Sequence, residues 1–202
     1  MSTGNFNENT ARFYADHILI TSNRKLLQES ERLFRFLKKR KTATGTNLKV
    51  NRLLVAQFNL QRRFLEMIDR EIEHARKGLP AAITIKMNNL EEREFITRLY
   101  EASRAGVNVS LIIRGICCLV PGVKGLSENI RVIRIIDRFL EHASVFIFNN
   151  NNQPEVYLGS ADWMIRNIYR RIEVCFPIEN QDMKSEIIGI INLQLRDNVQ
   201  AV

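Results

Sequence analysis

The residues best suited to chemistry are an arginine and a histidine near predicted strand ends. The apolar run VNVSLII (107–113) is followed by Arg114-Gly115. An arginine carries a permanent charge and a planar fork that matches phosphate oxygens. A glycine behind it frees the backbone to aim that fork. A pairing with a carboxylate is the alternative for Arg114. His142 lies at the start of the run ASVFIF, with Glu141 and Asp137 near enough in sequence to orient or tune its ring. Histidine titrates near neutral pH, so it serves as nucleophile or as general acid and base. It also serves as a plain structural residue beside a strand. Downstream, the run EVYLGS (155–160) ends in small residues and then Asp162-Trp163. The N-terminal stretch Ser2-Thr3-Gly4-Asn5-Phe6-Asn7 has the same character, small residues followed by asparagine.

These groups need a scaffold, and the hydrophobic pattern supplies one. Residues 11–21 alternate and predict a strand; 23–41 predict a helix capped by Ser22-Asn23 and ending in the basic run KKRK, which complements the helix dipole. The small polar stretch 42–49 predicts a linker and a domain boundary. Strand 52–56, helix 58–77, strand 82–87, helix 91–105 and strand 107–113 then alternate, with Gly78-Leu79-Pro80 and Gly106 as stops. That order predicts a largely parallel sheet covered by helices, with ligands beyond the carboxyl ends of the strands. Four short strands follow, at 131–136, 144–149, 155–160 and 171–178; NNNNQP makes a hairpin turn between the middle two, and helix 182–196 closes the chain.

The chain has 202 residues and a formal net charge of +8, which favours anionic partners without choosing among them. The three cysteines, Cys117, Cys118 and Cys175, form no disulfide framework and no zinc pattern, which suits a reducing cytoplasm. No apolar run is long enough for a transmembrane helix, and MSTGNFNENTARF is no signal peptide. Met1 is followed directly by a structured-looking motif, which is what a piece cut from a longer parent is expected to show. No basic patch interleaved with aromatics and no helix-turn-helix pattern argues for nucleic acid.

A histidine on one strand, followed by a strand ending in small residues and an Asp or Asn, is similar to the His-x-Lys…Asn half-site of phospholipase D-like enzymes. Beyond that, four long stretches occur in order: STGNFNENTARFYADH, LIIRGICCLVPGVKGLSENIRV, IDRFLEHASVFIF and VYLGSADWMIRNIYRRIEV. Each closely resembles a segment of bacterial polyphosphate kinases, and the likeness covers essentially the whole chain. The resemblance implies an α/β fold: a phospholipase D-like mixed or parallel sheet flanked by helices, preceded by the tail of a similar domain. Residues 1–48 would end the first such domain and 49–202 would form the second. It implies reversible transfer of the ATP γ-phosphate to inorganic polyphosphate, with Mg2+, through a phosphohistidine. It implies that Tyr14 contacts the nucleotide and Arg114 the ATP phosphates. His142 would be the second active-site histidine, in acid/base work or phosphate contact, and Arg171 a further phosphate-binding arginine. For Tyr14 a plain strand aromatic, and for Arg171 a surface charge, are the alternatives. Asp162 and Trp163 look like shaping residues.

The phospho-accepting histidine and the magnesium-linked positions would lie upstream of residue 1, so the chain alone should be catalytically incomplete. Ser144 stands where the phospholipase D-like pattern has a lysine or arginine. The resemblance also implies ATP, ADP and polyphosphate as partners, a homo-oligomer, no nucleic acid, and a cytoplasmic location with peripheral inner-membrane contact left open. A phospholipase D-like phosphodiesterase or nuclease, and a non-catalytic polyanion-binding module, are the competing classes.

Overall fold

The structure is a computed structural model, and it describes residues 1–39, 43, 48–136 and 138–197. The chain forms helix α1 (Glu8–Phe13), strand β1 (Tyr14–Ala15), α2 (Arg24–Lys38), β2 (Leu54–Val55), α3 (Leu60–Arg76), β3 (Ala82–Met87), α4 (Arg93–Arg104), β4 (Asn108–Ile113), β5 (Ile130–Ile133), β6 (Leu140–Glu141), β7 (Ser144–Phe148), β8 (Glu155–Gly159), α5 (Ile165–Tyr169), β9 (Val174–Pro177) and α6 (Gln181–Leu195). Seven strands form one sheet in the order β2-β9-β8-β7-β3-β4-β5. β3, β4 and β5 run parallel; β7 lies antiparallel to β3, and β8, β9 and β2 continue antiparallel. The sheet is therefore mixed. The βαβ pattern gave its parallel half, but β2 is not a neighbour of β3: it pairs with β9 at the far edge.

Side chains alternate across the sheet and fill two cores. Ile83, Ile85 and Met87 of β3, with Phe146 and Phe148 of β7, pack against Phe64 and Ile68 of α3 and Phe95 and Leu99 of α4. On the other face Val145 and Ile147 of β7 pack with Leu26, Leu33 and Phe36 of α2 and Ile187 and Ile191 of α6. The result is a three-layer helix–sheet–helix sandwich. The buried Glu29 of α2 fastens that helix to the start of β2: its carboxylate accepts from the backbone N–H groups of Asn51, Arg52 and Leu53. Asn150, Asn151 and Asn152 all have positive φ (47°, 51° and 62°), which makes the predicted hairpin turn between β7 and β8.

The N-terminal expectation needs correction. Residues 11–13 are helical, because Asn7 accepts from the Thr10 N–H at 2.9 Å and starts α1. Only Tyr14 and Ala15 are extended, and they pair in parallel with Leu140 and Glu141 of β6. The basic end of α2 at Arg40 and Lys41, Asp137, and all but residues 43, 48 and 49 of the predicted linker lie outside the described residues.

Candidate active site

The register brings one end of the sheet together. Ser144, the first residue of β7, pairs with Gly159, the last of β8, and Met87 at the end of β3 lies beside Ile113 at the end of β4. His142, Ser160, Asn88 and Arg114 therefore all emerge at this end. His142 precedes its strand while the other three follow theirs, as the antiparallel junction of β3 and β7 requires.

The β1–β6 ladder adds the N-terminal segment. The N–H groups of His142 and Ala143 both donate to the Ala15 carbonyl at 3.3 Å. This places Asp16 Oδ1 3.0 Å from His142 Nδ1. The Tyr14 ring stacks on the imidazole, with centroids 5.2 Å apart and planes 21° from parallel. Asp16 is itself held by the Thr3 hydroxyl, which donates at 2.6 Å and accepts the His17 N–H at 3.0 Å. Burial pushes the Asp16 carboxyl up, but the hydrogen bonds from His142 and Thr3 and the charge of nearby histidines more than offset this, so its pKa is lowered. An ionised carboxylate only accepts, so the proton in this bond sits on His142 Nδ1. Nε2 is then the ring atom left for chemistry. The small-residue motif at the N-terminus now has a reason: a Cβ at Gly4 would stand 2.0 Å from Asp16 Oδ2, inside its carboxylate.

Arg114 does not pair with a carboxylate among the described residues. Its Nε and Nη2 donate to Asn88 Oδ1 at 3.0 and 2.7 Å. Asp162 lies one step behind, accepting from Asn88 N at 2.9 Å and from Asn89 Nδ2 at 2.9 Å. It therefore touches the asparagines that flank Arg114 rather than Arg114 itself. Trp163 is fully buried, stacked on Phe95 with centroids 3.9 Å apart.

Arg171 stands apart from this network. It is more than half exposed, with Nη1 3.9 Å from Glu173 Oε1. Glu173 in turn accepts from Ser160 Oγ at 2.6 Å and Asn167 Nδ2 at 2.7 Å, and burial raises its pKa despite those bonds. Ser144 is buried and its Oγ has no hydrogen-bond partner. Lys86 does not replace the lysine expected at Ser144. It pairs in register with Val145, so it projects from the opposite face, where it is ion-paired with Glu141. His17 shares that neighbourhood; burial, then Lys86, lowers its pKa.

A family model for polyphosphate kinase C-terminal domain 2 matches residues 53–202, and one for C-terminal domain 1 matches residues 1–43. The chain belongs to the polyphosphate kinase family. It is 45% identical over 201 residues to a polyphosphate kinase of Vibrio parahaemolyticus, covering all of this chain but 28% of that protein. The crystal structure of polyphosphate kinase from Porphyromonas gingivalis superposes with a TM-score of 0.92 at 46% identity, over 100% of this chain and 30% of that one. The chain thus spans less than a third of its family relatives. Nuc from Salmonella typhimurium, a phospholipase D family member, superposes with a TM-score of 0.50 at 13% identity, over 69% of this chain and 91% of that one. That likeness is one of fold, and it agrees with the phospholipase D-like sheet read from the sequence.

Among the described residues no three His, Cys, Asp or Glu side chains converge as a metal site. No helix among them is long and apolar enough to cross a membrane.

Sequence reasoning missed two parts of the site. Asp16 carried a faint signal in its place between an aromatic and a histidine. Asn88-Asn89, at the end of a strand pointing into the crevice, carried a polar signal that no motif had claimed.

Proposed function

We propose that this chain is the C-terminal catalytic portion of a polyphosphate kinase. The whole enzyme would move the ATP γ-phosphate reversibly onto inorganic polyphosphate, through a phosphohistidine on a histidine outside the chain. The observation that carries the reading is the Asp16–His142 hydrogen bond beside the Tyr14 stack. It fixes the tautomer and leaves Nε2 as a proton acceptor, or as a donor once the ring is protonated.

The difficulty in this reaction is charge. Two like charges ~4 Å apart repel by roughly 4 kcal/mol at an effective dielectric of about 20. Phosphoryl transfer is therefore catalysed mainly by positioning and charge stabilisation. Arg114 holds the transferring or leaving phosphates. His142 gives or takes a proton or contacts phosphate, Tyr14 packs against the nucleotide, and Arg171 adds a more exposed positive charge. Magnesium arrives with the nucleotide, held by residues outside this chain. The reading also includes a cytoplasmic homo-oligomer acting on ATP, ADP and polyphosphate rather than nucleic acid. By itself the 202-residue chain is incomplete and makes no polyphosphate.

The test is a full-length polyphosphate kinase carrying this segment, given γ-labelled ATP and magnesium. His142→Ala lowers turnover and Arg114→Ala raises the ATP requirement. A full-length enzyme that makes no polyphosphate and takes no label on protein would overturn the reading and leave diester cleavage or plain polyanion binding to be tried. A His142→Ala enzyme that is still labelled would place His142 after phosphohistidine formation.

A further inference from the structure

Asn88 immediately follows β3 and is buried, at 7% exposure. Its side-chain amide is fully used. Oδ1 accepts both Nε and Nη2 of Arg114; Nδ2 donates to the His142 carbonyl at 3.2 Å and to Asp162 Oδ1 at 3.3 Å. The orientation of this amide is not arbitrary. A guanidinium only donates, so the atom facing it must be the oxygen.

Three consequences follow from that placement. The fork of Arg114 is locked in one plane by two N–H bonds to a single acceptor. The acceptor is neutral, so the arginine keeps its whole charge, and of its five N–H groups three have no partner among the described residues. The same amide holds the backbone of His142, so one clamp fixes both groups. The nearest acid in this chain of contacts, Asp162, is kept busy by Asn88 N, Asn88 Nδ2 and Asn89 Nδ2. The chain folds closely to allow this. The Gly115 N–H donates to the Asn88 carbonyl at 2.7 Å, and a Cβ at Gly115 would sit 2.5 Å from Asn89 Oδ1.

We infer that Asn88 is a positioning residue that fixes Arg114 against His142 while leaving the arginine its full charge for a phosphate chain. The inference rests on the reading of Arg114 as a phosphate ligand.

The test is a double-mutant cycle on binding of inorganic tripolyphosphate to a full-length polyphosphate kinase carrying this segment, by calorimetry at several salt concentrations, with thermal melts of every variant. Losing hydrogen bonds to a charged group should weaken binding about tenfold in Asn88→Ala. In the Arg114→Ala background the same change should weaken it no further, because Asn88 acts through Arg114. Asn88→Asp keeps the acceptor but sets a carboxylate against the guanidinium. It should weaken binding and lower the salt slope by about one, which a merely structural residue would not do. A full additional loss from Asn88→Ala in the Arg114→Ala background, with Arg114→Ala itself harmful, removes the role of Asn88 alone. So does wild-type binding by Asn88→Ala. Arg114→Ala binding like wild type removes the phosphate role of Arg114, and this inference with it. If Asn88→Ala melts too low to measure, the salt slope of Asn88→Asp decides: an unchanged slope refutes the inference.

Discussion

Asp16 and His142 meet at 3.0 Å although 126 residues separate them, and the bond joins the N-terminal tail to the β-sheet that follows. Asp16→Asn keeps the shape and removes the charge that holds the imidazole in its Nδ1–H form. Since general acid–base catalysis contributes 10²–10⁴-fold, turnover of a full-length enzyme should fall about 10²-fold or more. Steady-state kinetics check this, and the ATP requirement should change far less than turnover.

Two glycines should separate stability from function. The three nearest atoms to a Cβ at Gly4 all belong to the Asp16 carboxylate, the end of a side chain rather than backbone. Gly4→Ala should melt near wild type yet lose turnover as Asp16→Asn does. A Cβ at Gly159 strikes Cys175 Sγ at 2.4 Å and the Val174 carbonyl at 2.6 Å, which is backbone. Gly159→Ala forces β8 from β9 and should cost about 1–3 kcal/mol, the usual range for overpacking. Denaturant melts of both variants give the comparison.

Acid should weaken the fold in two stages. His17 has a lowered pKa when folded, so it binds protons less readily than in the unfolded chain. Its contribution is complete above its unfolded pKa of about 6.5 and is lost as pH falls through the folded value. Asp16, also lowered, contributes above its unfolded value of about 4 and loses that contribution as pH falls through its folded pKa. His17→Gln should flatten the stability profile chiefly in the upper window and Asp16→Asn chiefly in the lower, since each charge also acts on the other. Melts from pH 3 to pH 8 would show it, on the scale of roughly one titrating group per window.

Trp163 should be the costliest single truncation. It has no exposed surface, stacks on Phe95 and lies 5.7 Å from both Phe64 and Phe146 by centroid. Trp163→Ala should cost about 3–5 kcal/mol, and Trp163→Phe clearly less. Denaturant unfolding with an unchanged m-value would confirm a cavity effect rather than a changed unfolded state.

The long periodic elements were legible in the sequence: α3, α4 and α6 from their helical spacing, β3, β4, β7 and β8 from their apolar runs. So was the crevice, since Arg114 and His142 both emerge at one end of the sheet. What escaped is set by tertiary contact. α1 depends on a single side-chain cap from Asn7, and β1 and β6 are two residues each, with no period to detect. Asn88 escaped because an asparagine after a strand usually marks a turn, and only the folded chain brings it to Arg114. The place of β2 escaped because its partner, β9, follows more than a hundred residues later.

The short ladder between β1 and β6 also bears on the order in which the molecule forms. Helices α3 and α4 close through nearby residues, whereas the pairing of Tyr14 with Leu140 must wait until both chain segments are in place. The site is then among the last features to be built. After dilution from denaturant, recovery of helical signal should run ahead of recovery of tripolyphosphate binding. A partly folded chain would look well structured while holding no joined Asp16–His142 pair.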